Sequence, residues 1–242
     1  MEEIKVKAII INSTDYKDKH KIVNAYSLEE GLISFILKNC KSAKSKLKFC
    51  HSPFCFLELE LFKNEEVITL KTATVLDDFF SISENYDAFI TASAILEIVL
   101  KGFKQNEKNE LLFLNLLKFL KMLAYSSINP LLILTRFLIG ITKISGYKLN
   151  FDLCQNCHFP YKNSVYLNLN TGEFECEACK QNFSVQIENS LFNFLNKISK
   201  LPVENLIEIE TDDKRLLDCI KLLTLNLEAR LNCKLNYKKN FD

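Results

Sequence analysis

The sequence predicts an α+β multidomain protein, in which an N-terminal five-stranded barrel is followed by an α-helical bundle with an inserted four-cysteine module. Three observations lead to this prediction. Apolar residues recur with a period of two in the first third of the chain, they recur with a helical period afterwards, and two C-x-x-C pairs interrupt the helical part. Of the 242 residues, 48% are apolar and 25% charged, which is typical of a soluble globular protein with one large domain or several small ones.

The first third of the chain reads as short strands. Ile4 and Val6 alternate with Lys5 and Lys7, as expected for a strand with one buried face. Five strands are expected, at residues 4–10, 21–27, 32–38, 54–62 and 67–76. Five short strands favour a small barrel, and the five-stranded OB-fold is the natural candidate for residues 1–80.

The remainder of the chain has a helical period. Helices are expected at residues 84–101, 107–125, 131–145, 188–199 and 213–232. Pro130 suits the start of the third helix and Gly146 suits its C-cap. We therefore expect a helical domain at residues 81–150, a metal module at 151–183, and C-terminal helices at 184–242 that return to the helical domain.

Four cysteines have the spacing of a structural zinc site: Cys154, Cys157, Cys176 and Cys179. Each C-x-x-C pair places two thiolates on one tight turn, and the intervening hairpin can close a tetrahedron of four sulfurs around one Zn²⁺. Four thiolates leave no coordination position for water. The expected module is therefore a zinc ribbon that stabilises the fold and takes no part in catalysis.

Other uses of these cysteines stay open at the level of sequence. Residues 154–158 also match the C-x-x-C-H pattern of haem attachment, and redox pairs or two disulfides fit as well. The remaining five cysteines have no framework spacing and make an odd total of nine: Cys40, Cys50, Cys55, Cys219 and Cys233. This pattern favours a metal in a reducing compartment. Because the chain opens on Met1-Glu2-Glu3 and lacks a span of about 20 apolar residues, we expect a cytoplasmic protein.

A lysine cluster is the strongest indication of a binding surface. Its members are Lys38, Lys41, Lys44, Lys46 and Lys48, and no acidic residue occurs in residues 31–57. Five phosphate contacts from these lysines would give single-strand binding a salt slope of about −3.5. The alternative is a solvated lysine-rich loop. Phe35 and Phe49 flank the cluster, where they could stack on bases or belong to the barrel core.

No catalytic constellation is present, so we expect a protein that is not an enzyme. The five glycines never form a phosphate-binding loop, and the three histidines show no nucleophile–base pattern. Arg136 is the only charged residue in the apolar stretch 130–142. It either extends its head group to the surface or anchors a partner's carboxylate in a groove.

Together these features resemble the RecO recombination mediators of bacterial DNA repair. The likeness spans the chain and has three parts. The first runs from residues 22–38 through the lysine-rich residues 41–47 to Ser52-Pro53-Phe54 and the strand 57–61. The second is Arg136-Phe137 and Gly146-Tyr147, which lead into Cys154-x-x-Cys157, and the third is Arg215-Leu216-Leu217 with the basic end 230–239. The chain departs from the family pattern in using lysine where arginine is frequent and in having His158 where a small residue is usual. Members of the family also differ in whether they retain the cysteines.

The resemblance implies a non-catalytic DNA-repair mediator. Such proteins bind single- and double-stranded DNA, anneal complementary strands, and help RecA replace the single-stranded-DNA-binding protein. The implied partners are RecR, in some cases RecF, and the acidic C-terminal tail of the single-stranded-DNA-binding protein, for which Arg136 is the candidate anchor. The competing hypothesis is a protein-interaction adaptor with a zinc staple and no direct contact with DNA. A nuclease is disfavoured because the sequence offers no carboxylate cluster or histidine pair for a catalytic metal.

Overall fold

The computed structural model describes residues 2–41, 47–65 and 67–241. Residue contacts divide the chain into two compact units. Unit 1 comprises Met1–Ala92 and Leu96–Tyr125, and unit 2 comprises Ser93–Ile95 and Ser126–Asp242. Each unit combines strands with helices, so the predicted α+β class is confirmed.

Unit 1 is built on a closed barrel of five strands in the order β1-β2-β3-β5-β4. The strands are β1 (Glu2–Tyr16), β2 (His20–Ser27), β3 (Gly31–Leu37), β4 (Phe56–Lys63) and β5 (Ile68–Asp77). Neighbouring strands are antiparallel except β3 and β5, which close the barrel in parallel with Ile36 opposite Thr69. The long β1 pairs with β4 through its first half and with β2 through its second half, across an irregularity between Ile10 and Asn12. This is the predicted OB-like arrangement.

The barrel core follows the predicted alternation. Every second residue of β1 points inward, from Val6 through Ala8 to Ile10, and meets Leu57, Leu59 and Leu61 of β4. Ile4 is partly buried at the end of the same row. Because side chains of a strand alternate between its two faces, this one row of apolar residues fixes the register of β1.

Residues 105–109, just before the helix Glu110–Tyr125, cover part of the barrel's outer face. The backbone N–H of Asn106 donates to the carbonyl of Leu32 at 3.0 Å, and Gln105 Nε2 donates to Ser34 Oγ at 3.2 Å. The buried Tyr26 hydroxyl donates to the carbonyl of Asn109 at 3.5 Å. These bonds attach the segment to β2 and β3 without adding a strand to the barrel.

Six α-helices follow the barrel in the described part of the chain: α1 (Phe80–Glu84), α2 (Tyr86–Gly102), α3 (Glu110–Tyr125), α4 (Pro130–Ile144), α5 (Asn189–Lys200) and α6 (Asp213–Leu231). Five of them match predicted helices, and the short α1 was not predicted. Side chains of Asn85, Asn109, Asn129 and Asp212 cap the starts of α2, α3, α4 and α6. Pro130 opens α4, and Gly146 just beyond it has the left-handed φ of +86° that a helix end favours in glycine. None of the described helices is long and apolar enough to cross a membrane.

Unit 2 contains a second, three-stranded sheet in the order β7-β6-β8, formed by β6 (Val165–Asn168), β7 (Phe174–Cys176) and β8 (Ser184–Ile187). The turn between β6 and β7 lies against α6. There the side chain of Asn226 donates to the carbonyl of Gly172, and Arg230 Nη1 lies 3.5 Å from Glu173 Oε1. The four-cysteine segment is thereby held to a helix of the same unit.

Candidate metal centre and nucleic-acid interface

Two tight turns present the four cysteines. In the first, the N–H of His158 donates to the carbonyl of Cys154 at 2.9 Å, and His158 takes a left-handed φ of +59°. In the second, the N–H groups of Cys179 and Lys180 donate to the carbonyl of Cys176 at 3.1 and 3.0 Å. We call these turns the first and second knuckles. Each folds back on itself within five residues, which directs its two thiols to one side.

The knuckles bring the four sulfur atoms together. All four Sγ atoms lie within 4.8 Å of one another, and those of Cys157 and Cys176 are 3.8 Å apart. Four ligands about 2.3 Å from a central zinc would have sulfur–sulfur edges of about 3.8 Å. All nine cysteines of the chain are free thiols, which does not favour the disulfide alternative. The four residues fit one tetrahedral metal ion.

The acidity of the thiols also fits a cation. Burial opposes ionisation of Cys154, but N–H groups of Cys157, Cys176 and Asn156 directed at its sulfur outweigh burial and lower its pKa to about 7. Hydrogen bonding with the sulfurs of Cys157 and Cys176 raises the pKa of Cys179 to about 12. Four sulfurs this close cannot all be thiolates without a positive charge among them, and a bound divalent cation supplies that charge.

A buried glutamate supports the first knuckle. Glu175, next to Cys176 on β7, has no exposed surface. Its Oε1 accepts hydrogen bonds from the side-chain amides of Asn156 and Asn168, both at 3.0 Å, and its Oε2 accepts one from Ser184 Oγ at 2.6 Å. The carboxylate thus links the first knuckle to β6 and β8. The sequence did not predict this role, because Glu175 alternates with Glu173 and Glu177 and nothing in the sequence distinguishes the buried glutamate from the other two.

The lysine cluster begins where β3 ends, and it is only partly within the described residues. Lys38 and Lys41 are exposed. Lys48 opens a 3-10 helix, Lys48–His51. Lys44 and Lys46 lie outside the described residues. The two aromatic residues that flank the cluster belong to the barrel: Phe35 is buried in its core and Phe49 packs against that core.

The hairpin that joins β1 and β2 lies beside the start of the lysine cluster. Asp15, at the end of β1, ion-pairs with Lys21 at 2.9 Å and with Lys41 at 3.0 Å. Hydrogen bonds from these two ammonium groups lower the pKa of the Asp15 carboxyl. The N–H of Asn39 donates to His20 Nδ1 at 3.1 Å. The structure therefore joins two basic segments that are separate in the sequence.

The hairpin itself contributes lysines that the sequence analysis did not select. Lys17 and Lys19 are exposed in its turn, on either side of Asp18. Lys17 and Lys19 alternate with acidic residues, so a search for runs of like charge does not find them. A signal was nevertheless present, because loops between the first two strands of OB-folds are frequent sites of oligonucleotide binding.

Arg136 lines a cavity of about 580 Å³ in unit 2, between α4, α5 and residues 148–153. Burial lowers the pKa of its guanidinium, and the nearby carboxylate of Glu204 opposes this shift. Its Nε atom is buried and has no hydrogen-bond partner among the described residues. Three lysines line the same cavity together with apolar side chains: Lys143, Lys148 and Lys200. Asp152 pairs with Lys200 at 2.7 Å and offsets part of this positive charge.

A closed OB-like barrel, a set of helices and a four-thiol cluster define an α+β protein with an oligonucleotide-binding type of barrel and a four-cysteine module that could hold a metal ion. Family comparisons agree with this class. The model described as Recombination protein O N terminal matches residues 1–79, and the one described as Recombination protein O C terminal matches residues 83–239. The chain belongs to the RecO family of DNA repair proteins.

Curated relatives match this chain over most of their length. The DNA repair protein RecO of Caldicellulosiruptor bescii is 26% identical over 225 residues, which cover 93% of this chain and 91% of the relative. The DNA repair protein RecO of Acetivibrio thermocellus is 25% identical over 247 residues, which cover 100% of this chain and 98% of the relative. The RecO of Caldicellulosiruptor saccharolyticus is 27% identical, with 89% and 84% covered.

Proposed function

We propose that this protein is a non-catalytic recombination mediator that binds single- and double-stranded DNA, anneals complementary strands and assists RecA loading on DNA coated with single-stranded-DNA-binding protein. The observation that carries the proposal is the position of exposed Lys38 and Lys41 at the end of an OB-like barrel. Lysines in that position can neutralise phosphate without reading sequence. A mediator that acts on any single strand requires such binding.

The binding surface proposed for DNA is the lysine cluster, whose members are Lys38, Lys41, Lys44, Lys46 and Lys48. Lys41 is oriented by Asp15, and Lys38 directly follows a strand whose residues are fixed in the barrel. Since Phe35 and Phe49 are taken up by the core, this surface works through charge, and we expect strongly salt-dependent affinity with little preference for base identity.

We propose that Cys154, Cys157, Cys176 and Cys179 hold one structural Zn²⁺. The support is the convergence of four sulfurs within 4.8 Å and the 3.8 Å contact between the knuckles. When bound, the ion supplies the positive charge that allows the thiols to ionise together. The residues themselves hold the module in shape, with Glu175 bonded to the first knuckle, and Asn226 bonded to the turn before β7.

The proposed protein partners are RecR, the acidic C-terminal tail of the single-stranded-DNA-binding protein and, depending on the host, RecF and RecA. The cavity at Arg136 suits the tail, because the guanidinium that lines it can donate to a carboxylate and the apolar walls can take an aromatic side chain. We propose that the protein works in the cytoplasm, associated with the nucleoid.

Fluorescence anisotropy with labelled single- and double-stranded oligonucleotides tests the DNA-binding proposal. Reversing the charge of Lys38 and Lys41 to glutamate is expected to weaken binding by at least tenfold at low salt and to reduce the salt slope on single strands by about 1.4. The matched control reverses Lys7 and Lys121, which are exposed on β1 and α3. A wild-type protein that binds neither probe would instead favour the protein-interaction adaptor.

A further inference from the structure

The end of the barrel formed by residues 15–21 and 38–41 is a continuous surface, which we call the hairpin end. Backbone pairing places Asp15 opposite Lys21 and Lys21 opposite Leu37, so three strands meet there. Two further contacts tie the chain after β3 to the hairpin. His20 Nδ1 accepts from the N–H of Asn39, and the Cys40 thiol donates to the carbonyl of Lys19 at 3.9 Å. The surface is therefore held by the barrel strands and by these two contacts.

The hairpin end is rich in positive charge. It carries five lysines and two aspartates: Lys17, Lys19, Lys21, Lys38 and Lys41, with Asp15 and Asp18. Within the described residues, Lys17, Lys19 and Lys38 are exposed and have no carboxylate within 4 Å. The protein as a whole has a net charge of only +1, so this concentration is a local feature. Clustered ammonium groups on a rigid support attract phosphate.

Asp15 occupies the centre of this surface. One of its carboxylate oxygens lies 2.9 Å from Lys21 Nζ and the other lies 3.0 Å from Lys41 Nζ. A carboxylate that bridges two ammonium groups presents the same pair of anionic oxygens that a phosphodiester would present. The Asp15 side chain is 63% exposed, while those of Lys21 and Lys41 are 20% and 35% exposed. A nucleic-acid backbone can therefore reach the two ammonium groups from the side on which Asp15 meets solvent.

We infer that the hairpin end binds the phosphate backbone of single-stranded nucleic acid, and that Asp15 holds the place of a phosphate on Lys21 and Lys41 until the strand displaces it. This inference rests on the proposed function, and it extends the proposed DNA-binding surface from the lysine cluster to Lys17 and Lys19. Asp15 lowers affinity, since each strand must compete with an internal anion. It also keeps Lys41 directed towards the hairpin in the free protein. The consequence is rapid exchange of strands, which annealing requires.

Removal of the Asp15 charge tests the competition. Because exposed ion pairs contribute little to stability, Asp15→Asn is expected to fold normally and to bind a labelled oligothymidylate about two- to tenfold more tightly at low salt. Asp18→Asn is the matched control, since it removes the same charge from the same turn, and no ion pair of Asp18 is found among the described residues. It is expected to change affinity by a smaller factor.

Removal of the hairpin lysines tests the extent of the surface. Lys17→Ala with Lys19→Ala is expected to weaken binding and to reduce the single-strand salt slope by up to about 1.4, one phosphate for each lysine. The matched control is Lys7→Ala with Lys121→Ala, which removes two exposed lysines elsewhere in unit 1. A change of slope separates a phosphate contact from a loss of folding, because a fold defect lowers the active fraction without altering the slope.

The outcomes separate this inference from the function on which it rests. It is supported if Asp15→Asn tightens binding more than Asp18→Asn and the hairpin double variant lowers the slope. It is overturned if Asp15→Asn binds as the wild type, more weakly, or no better than Asp18→Asn, or if the hairpin variant keeps the wild-type slope. If reversing the charge of Lys38 and Lys41 still weakens DNA binding, the outcomes that overturn this inference do not overturn the proposed function. Absence of any binding by the wild type overturns both.

Discussion

The α-carbon of Gly31 faces the carbonyl oxygen of Glu107 so closely that a β-carbon at position 31 would lie 2.2 Å from that oxygen. Gly31 also has a φ of +72°, in the left-handed region that favours glycine. The turn before β3 therefore needs glycine for its backbone conformation and again for the approach of the segment that covers the barrel. Two independent requirements meet at one residue.

Gly31→Ala is expected to lower the free energy of unfolding by about 3 kcal/mol or more, because left-handed strain of about 1–2 kcal/mol adds to a backbone clash. Urea denaturation monitored by circular dichroism measures the change. Gly146→Ala is the matched control, since Gly146 has a φ of +86° but no atom within 4 Å of its added β-carbon. Equal losses in the two variants would show that the contact with Glu107 adds nothing.

The contact between the metal module and α6 leads to a second prediction. A β-carbon on Gly172 would lie 2.7 Å from the carbonyl oxygen of Asn226 and 3.0 Å from Arg230 Cγ. We expect Gly172→Ala to displace the turn from α6 and to increase amide hydrogen exchange in β6 and β7, while zinc content stays at one ion per chain. Hydrogen exchange with mass spectrometry checks this. Unchanged protection of β6 and β7 would contradict it.

Metal removal should affect unit 2 selectively. Apparent zinc-binding free energies of structural sites are about 10–16 kcal/mol, so a chelator is expected to unfold the module around β6, β7 and β8. The barrel has a core of its own and should keep its thermal transition. Cys154→Ser should lose the metal, while Cys233→Ser should retain one equivalent by elemental analysis. A chelated protein whose module keeps full protection from hydrogen exchange would refute the structural role.

The buried thiols outside the metal centre should be unreactive. Burial raises the pKa of Cys50 and of Cys219 from 9.0 to about 12. At pH 8.5 the native thiolate population is then roughly a thousandfold below that of the unfolded chain, and alkylation should slow accordingly. The unfolded state loses these protons first, so stability should fall as pH rises above 9 towards 12. Peptide mapping after iodoacetamide treatment tests the expected slow alkylation, and rapid labelling of both native thiols would contradict it.

The cavity at Arg136 gives a prediction about a protein partner. Arg136→Ala is expected to weaken binding of an acidic peptide with a C-terminal aromatic residue by at least about tenfold, the loss of one charge-assisted hydrogen bond. Isothermal titration calorimetry measures it. Arg215→Ala is the matched control, because Arg215 lies over the ring of Phe194 and does not line the cavity. Unchanged peptide affinity in Arg136→Ala would assign Arg136 to packing alone.

Local patterns predicted the five barrel strands and five of the six described α-helices, but not the three short strands β6, β7 and β8. The alternation around Val6 and the lysines beside it predicted β1, and Pro130 with Gly146 marked the ends of α4 to within two residues. The short α1 was missed because it spans only Phe80–Glu84, too few residues for a helical period to show. Its start is also unusual, since Phe79 has a left-handed φ of +46°. Such strain has no signature in residue type.

Contacts between distant residues were not predictable in the same way. The ion pair between Asp15 and Lys41 and the burial of Glu175 depend on which strands lie side by side. A surface acid and a buried one have the same letter in the sequence. Only the folded structure shows that Glu175 accepts a hydrogen bond from Asn168 and that Asp15 pairs with two lysines.

The sequence alone was enough to predict the barrel strands and the five longer helices, the four cysteines that meet in one cluster, and the family. Periodicity and cysteine spacing are properties of residues that are near one another in the chain. Only the folded structure shows which lysines share a surface, which carboxylate pairs with two of them, and why a side chain at Gly31 would clash. Those properties depend on distances between residues far apart in the chain, and such distances are fixed only when the barrel closes.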